Sequence, residues 1–206
     1  MLTPTSSLLL VAILIAARNA LNYANQCYEG KHSPGEQRPQ RGENLFWDYD
    51  NSKHQTKYAY SSSYRWAIEY NLVDLPTDFI PKDEKTFKII GHATQMSWDH
   101  SYLVGCGLGR CGKFAVVVCQ YHPPGNYGDS PMYKAGKECS DCPSGTSCEP
   151  RTGLCEDSSL SMIIDDDPAD EFNPTTTHIL SALLPVFGFL LLPTVFVIIP
   201  IFARAG

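Results

Sequence analysis

The chain opens with an apolar run at residues 8–17 that continues into a helical pattern. Ala16, Ala20 and Ala24 fall on one helical face, because residues four apart lie above one another on an α-helix. Ten apolar residues behind a short polar start are typical of the core of a secretory signal peptide, and they are too few to cross a bilayer. We therefore predict a signal-like segment at residues 1–17. The alternative is a buried helix of the domain.

The strongest strand pattern lies in the middle of the chain. Residues 114–121 read FAVVVCQY and are followed by a Pro-Pro-Gly turn sequence, which is typical of a buried strand. Residues 101–107 are its predicted partner, and residues 64–70 have helical spacing. Residues 31–63 are polar and irregular and predict neither helix nor strand. Helices and strands without regular βαβ alternation predict an α+β fold.

A second apolar stretch lies near the C-terminus. Residues 179–203 are 25 residues without a charge, and about 20 apolar residues span a hydrocarbon core. Pro185, Pro193 and Pro200 would kink such a helix, which membranes tolerate. A cleaved glycolipid-anchor signal is the alternative. Either reading predicts an extracellular domain tethered to the plasma membrane, and a secreted domain is the third possibility.

Eight cysteines are expected to form disulfides, because an exported domain lies in an oxidising compartment. Only the Cys139–Cys142 pair has zinc-ligand spacing, and neither a second close pair nor a histidine at ligand spacing follows it. Four cysteines lie in the first part of the chain: Cys27, Cys106, Cys111 and Cys119. The other four lie close together after it: Cys139, Cys142, Cys148 and Cys155.

The net charge of −6 comes from one short stretch. Basic and acidic residues balance over residues 1–155, whereas residues 156–171 carry seven acids and no base. Residues 1–155 therefore lack the excess of basic side chains that a nucleic-acid binder needs. The acidic stretch has no EF-hand pattern for calcium, and it is interpreted as a solvated spacer.

Three motifs resemble those of the CAP superfamily, which contains cysteine-rich secretory proteins, antigen 5 and plant pathogenesis-related proteins. They are RGENLF at residues 41–46, GHATQMSW at residues 91–98 and VCQYHPPGNY at residues 118–127. The sequence CSDCPSG at residues 139–145 resembles the hinge that follows this domain in animal members. The resemblance covers residues 16–156 and is nearest to the glioma-pathogenesis-related and peptidase-inhibitor-16 type.

The resemblance implies a three-layer α-β-α sandwich with a central cleft. It divides the chain into a CAP (SCP) domain at residues 16–135, whose first helix lacks its usual start, and a cysteine-rich hinge at residues 136–156. An acidic linker at residues 157–178 and the hydrophobic segment at residues 179–203 follow. The resemblance also implies that the four hinge cysteines pair among themselves.

Four cleft side chains are implied by the same resemblance: His32, Glu43, Glu69 and His92. Two imidazoles with carboxylates suit zinc or another divalent metal. In the alternative, the carboxylates orient the imidazoles by hydrogen bonds.

Three functions fit these features. The resemblance favours a non-enzymatic module that binds a lipid, a sterol or an extracellular protein, and Trp47, Tyr49, Tyr121 and Tyr127 are candidate aromatic surfaces. A metal-dependent hydrolase or peptidase would use Glu43 or Glu69 as general base, but the chain has no His-Glu-x-x-His helix and no nucleophile elbow. The third function is structural adhesion. We favour the binding module.

Overall fold

The fold is built on an antiparallel sheet flanked by helices, as a computed structural model of the chain shows. Mixed helix and strand, predicted from the sequence pattern, is confirmed. The structure describes residues 4–75, 84–128, 130–150, 153–156 and 195–196. The helices are α1 Pro4–Ala24, α2 Gln55–Ala67 and α3 Glu84–Met96, with 3-10 helices at Gly35–Gln37 and Ile68–Leu72. The strands are β1 Gly42–Asp48, β2 Leu103–Cys111, β3 Phe114–His122, β4 Ser147–Glu149, β5 Leu154–Glu156 and β6 Val195–Phe196.

The main sheet has the strand order β1-β3-β2-β6. Glu43 lies opposite Gln120 in the β1–β3 pair, and Cys106 lies opposite Cys119 in the β2–β3 pair. Strand β3 therefore has a partner on both sides and a helix layer over each face. This position explains why its sequence is an almost continuous apolar run.

Helices cover both faces of the sheet. Helix α1 packs on one face, where Ala20, Tyr23 and Ala24 meet Val116 and Val118 of β3. On the other face, Tyr58 and Trp66 of α2 pack against a cluster that includes Val104, Cys106, Val117 and Cys119. The arrangement of α1, the sheet and the α2–α3 pair is a helix–sheet–helix sandwich.

Glycines in β2 allow α1 to lie unusually close to the sheet. A Cβ atom added at Gly107 would be 2.3 Å from the Leu21 backbone, and one at Gly105 would be 2.2 Å from the Ala17 nitrogen. Only glycine leaves room for this approach. The small residues on the facing side of α1, Ala16, Ala17, Ala20 and Ala24, are all buried.

The apolar N-terminal run is part of α1. The helix continues without a break from Pro4 to Ala24, and Ile13, Ala16 and Ala17 are buried. The buried-helix alternative therefore describes residues 13–24 of this structure. The signal-like interpretation of residues 1–17 stays a prediction.

Strand β1 and the first nine residues of α2, at 55–63, lie where the sequence pattern predicted neither helix nor strand. The end of α2 falls within residues 64–70, where helical spacing was predicted. Strand β1 was missed because Glu43 and Asn44 are consecutive polar residues that are both buried, which removes the alternation expected of a half-buried strand. Helix α2 contains three consecutive serines at residues 61–63, which have weak helix propensity. Its buried Tyr58 and Trp66 supply the packing that overrides that propensity.

All eight cysteines form disulfides, which confirms the prediction of disulfide bonding. Strands β4 and β5 form a short hairpin within the cysteine-rich segment. The pairs are Cys27–Cys111, Cys106–Cys119, Cys139–Cys148 and Cys142–Cys155.

The acidic linker at residues 157–178 lies outside the described residues. The predicted membrane or anchor segment at residues 179–203 does so too, except for Val195–Phe196, which form β6 beside β2. In the described part of the chain, no helix combines the length and the apolar character that crossing a membrane requires.

We predict that Gly107→Ala lowers the free energy of unfolding by about 1–3 kcal/mol, because the added methyl group would overlap the α1 backbone. Urea unfolding followed by circular dichroism measures the change. Gly35→Ala is the matched control, because no atom lies within 4 Å of its added Cβ. Equal stability of the two variants would contradict the close approach of α1 to β2.

Candidate functional site

The first half of the site is a histidine held by a buried carboxylate. Glu43 lies near the start of β1, and its side chain has 0% exposure, whereas the His32 side chain is 53% exposed. The His32 Nδ1 atom lies 3.0 Å from Glu43 Oε1. Ser33 donates its backbone N–H to Oε1 at 2.8 Å and its hydroxyl to Oε2 at 2.5 Å, and Gln120 Nε2 donates to Oε2 at 3.2 Å. Four donors therefore surround one carboxylate.

These donors set the charge state of Glu43. Burial alone would raise the pKa of its carboxyl, but the hydrogen bonds from His32, Ser33 and Gln120 outweigh it and lower the pKa below the ordinary value of 4.5. Glu43 is therefore ionised at neutral pH and holds the His32 ring through Nδ1. The Nε2 atom of that ring has no hydrogen-bond partner among the described residues.

The second half of the site repeats this arrangement with different elements. Glu69 lies on the 3-10 helix after α2, and its Oε1 is 2.6 Å from Nδ1 of His92 on α3. Its Oε2 accepts the backbone N–H groups of His92 and Ala93, each at 3.0 Å. The Trp66 ring stacks on the His92 ring with centroids 5.9 Å apart. Both the position and the plane of the imidazole are thus fixed.

Asn44 connects the two halves. Its Nδ2 donates to the His92 carbonyl at 3.0 Å and to the Tyr121 hydroxyl at 3.2 Å. Because successive side chains of a strand point to opposite faces, Glu43 lies on the α1 face of β1 and Asn44 on the α2–α3 face. Burial raises the pKa of Tyr121, so its hydroxyl stays neutral within this contact.

The four predicted cleft residues therefore form two His–Glu pairs joined through β1. Within the described ranges, they do not bring three ligand atoms within 4.8 Å of one another. The three-residue group that meets that distance is Cys139, Cys142 and Cys155. All three are disulfide-bonded, and metals bind the thiolate form of cysteine, so this group does not fit a metal.

The sequence profile of the CAP cysteine-rich secretory protein family matches residues 15–121. That is more than half of the chain. The chain belongs to the CAP family.

Relatives of this CAP chain include secreted proteins of worms and mammals. It is 35% identical to the Ancylostoma secreted protein of Ancylostoma caninum, over 66% of this chain and 33% of the relative. It is 36% identical to cysteine-rich secretory protein 2 of Cavia porcellus, over 69% and 57%. It is 32% identical to human peptidase inhibitor 16, over 65% and 28%. The chain thus spans between about a quarter and three fifths of these relatives' lengths.

Solved structures agree with the CAP fold. Na-ASP-1 matches with a TM-score of 0.64 and 33% identity, over 68% of this chain and 36% of that chain. NaASP2, whose crystal structure is described as having Zn2+, matches with a TM-score of 0.63 and 33% identity, over 68% and 72%. The family resemblance of the three motifs is confirmed.

Three contact residues of this CAP domain were not predicted as site residues: Ser33, Asn44 and Gln120. Asn44 and Gln120 lie inside the quoted motifs, and Ser33 follows His32 directly. Their roles depend on the β1–β3 register and on the course of the loop before β1. No spacing rule in the sequence shows either of these.

We predict that Glu43 makes the stability of the domain depend on acid pH. Because its folded pKa is lowered, its contribution is fully present above the unfolded pKa and is lost as the pH falls through the folded pKa. Urea unfolding between pH 7 and pH 2 measures this loss.

In Glu43→Gln this contribution to the pH dependence should disappear. Glu36→Gln, which changes a carboxyl on the exposed 3-10 helix at Gly35–Gln37, should keep the wild-type profile. A wild-type pH slope in Glu43→Gln would show that Glu43 is not held ionised by these contacts.

Proposed function

We propose that the chain is an extracellular, non-enzymatic CAP binding module in which His32 and His92 take a divalent cation such as zinc. The observation that carries the proposal is that each imidazole has its Nδ1 atom on a glutamate carboxylate. Histidines that bind metals through one nitrogen commonly donate the other N–H to a carboxylate. The Nε2 atoms are then the ligand atoms.

The two glutamates act in this proposal as orienting groups. Glu43 accepts hydrogen bonds on both oxygens and has no exposed side-chain surface. Both oxygens of Glu69 are likewise engaged with His92 and Ala93. A general base needs a lone pair within reach of a substrate proton. These contacts therefore favour the binding module over the hydrolase that would use Glu43 or Glu69.

Two histidines leave coordination positions open on a bound cation. Zinc prefers four ligands, and when bound it acts as a Lewis acid toward oxygen and nitrogen atoms that complete its shell. In this module, the open positions would serve a ligand from outside the chain. His32 and His92 would hold the cation, and Trp66 would keep the His92 ring in place.

The disulfide bonds support the proposed extracellular location. The four disulfides of the described chain leave no cysteine free, which suits an oxidising compartment. Relatives carry the words secreted or secretory in their names. A membrane tether at residues 179–203, as a single span or a glycolipid anchor, stays a prediction.

We expect zinc to bind the purified wild-type chain at neutral pH and not His32→Ala or His92→Ala, by isothermal titration calorimetry. Glu43→Gln should weaken binding by about 10–100-fold, as loss of an orienting partner does. His100→Ala is the control, since that exposed side chain pairs with Asp99 and lies outside the two His–Glu pairs. Equal zinc affinity in all four variants would refute the proposed cation site.

We also propose a second, apolar ligand for the shallow groove beside the Cys27–Cys111 disulfide. Its volume is about 380 Å³, and it is lined by Tyr49, Phe114 and both cysteines, together with Gly112 and the charged Glu29 and Lys113. Pockets for small molecules have volumes of about 300–1,000 Å³ and mostly apolar walls. Of the predicted aromatic surfaces, Tyr121 is buried in the core, whereas Tyr49 is 70% exposed. We place the lipid or sterol ligand implied by the resemblance in this groove.

For this ligand, we expect Tyr49→Ala to reduce retention of a fluorescent sterol or fatty acid severalfold in a fluorescence-polarisation assay. Tyr60→Ala is a matched control, because Tyr60 is also 70% exposed and lies on α2, outside the groove. Equal retention by the two variants, or none by the wild type, would remove the groove as a lipid site.

A further inference from the structure

We infer that the outer edge of β2 is a docking site for the apolar segment at residues 194–199 of the same chain, which adds to the sheet as an edge strand. The starting point is the position of β6. Phe196 lies opposite Cys106 and Val195 lies opposite Gly107 in an antiparallel pair. Two residues of the segment predicted to meet a membrane thus pair with the sheet.

Burial shows why this edge needs a partner. Eight of the nine residues of β2 are buried, and Arg110 is the exception. The inner edge of β2 pairs with β3 along its whole length. Peptide groups on the outer edge of a strand so deeply buried are costly when they lack hydrogen-bond partners. Among the described residues, β6 pairs with this edge at Cys106 and Gly107.

The sequence shows why residues 194–199 suit the edge. This stretch reads TVFVII, with five β-branched residues and one phenylalanine, and these are the strongest strand formers. The neighbouring stretches ILSALL at residues 179–184 and VFGFLLL at residues 186–192 have one β-branched residue each. Pro193 and Pro200 bound the TVFVII stretch, and proline cannot donate to a ladder. Any strand that this stretch forms is therefore limited to the six residues between the two prolines.

Helix α1 forms the second wall of the docking site. It contacts β6 as well as β2. Gly105, Gly107 and Gly109 bring β2 close under α1, so no β2 side chain stands between the helix and the sheet edge at these positions. An apolar strand placed there pairs with the β2 backbone and lies against α1.

The docked strand excludes a membrane helix at the same residues. A peptide N–H that pairs with β2 cannot also bond within a transmembrane helix, where each backbone bond closes inside the segment. The docked segment and the membrane-embedded segment are thus alternative states of residues 194–199.

Hydrogen exchange of the full-length chain tests the docking site. We compare wild type with the double variant Val195→Pro and Phe196→Pro, and with a chain that ends at Pro193. Successive strand N–H groups point to opposite edges, so one of these two faces β2. In both altered chains, the β2 amide hydrogens that face the outer edge should exchange about tenfold faster than in the wild type, because they lose their hydrogen bonds to β6. Val117 on the central strand β3 should stay protected, which shows that the domain remains folded.

The chain offers a closely matched control, because the same Val-Phe dipeptide occurs at residues 186–187. Val186→Pro with Phe187→Pro should leave exchange in β2 at the wild-type rate. Unchanged β2 exchange in the 195/196 variant and in the shortened chain would overturn the proposal. Protection that rises with protein concentration, together with a dimer in size-exclusion chromatography, would overturn it in favour of a second copy of the chain.

Discussion

The buried carboxylate of Glu43 is the interaction on which the site depends. An ionised carboxylate away from water is costly unless hydrogen bonds or opposite charges compensate it. Here His32, both donors of Ser33 and the Gln120 amide converge on it, and the Arg38 guanidinium approaches to 3.9 Å. Satisfying one charge on β1 thus ties the loop at residues 32–38 to β1 and β3.

The neighbouring residue extends the same constraint to the other face of the sheet. Asn44 reaches the His92 carbonyl and the Tyr121 hydroxyl, and Trp66 donates its indole N–H to the Leu45 carbonyl at 3.1 Å. Strand β1 therefore fixes the loop that carries His32 and the helix layer that carries His92. A shift of its register by one residue would exchange the faces of Glu43 and Asn44 and separate both histidines from their contacts.

Sequence periodicity predicted the elements whose buried residues follow a regular pattern along the chain. Strand β3 was found because both of its faces are buried, and the helical pattern of α1 was found because its alanines face one sheet. Strand β1 was not predicted, because its buried polar residues break the alternation of apolar and polar residues that indicates a strand. The four cleft residues came from motif resemblance. Ser33 and Gln120 could not be predicted as their partners, because the contacts arise from strand pairing and loop closure across the chain.

The central claim is that each glutamate holds its histidine through Nδ1, while Nε2 has no hydrogen-bond partner within the described part of the chain. Nitrogen-15 NMR of the histidine side chains tests this directly, because the two tautomers give distinct patterns of nitrogen shifts and couplings. In the metal-free chain, the neutral form of the His32 and His92 rings should carry its proton on Nδ1, the atom that faces the glutamate. Neutral rings that carry the proton on Nε2 would contradict the account.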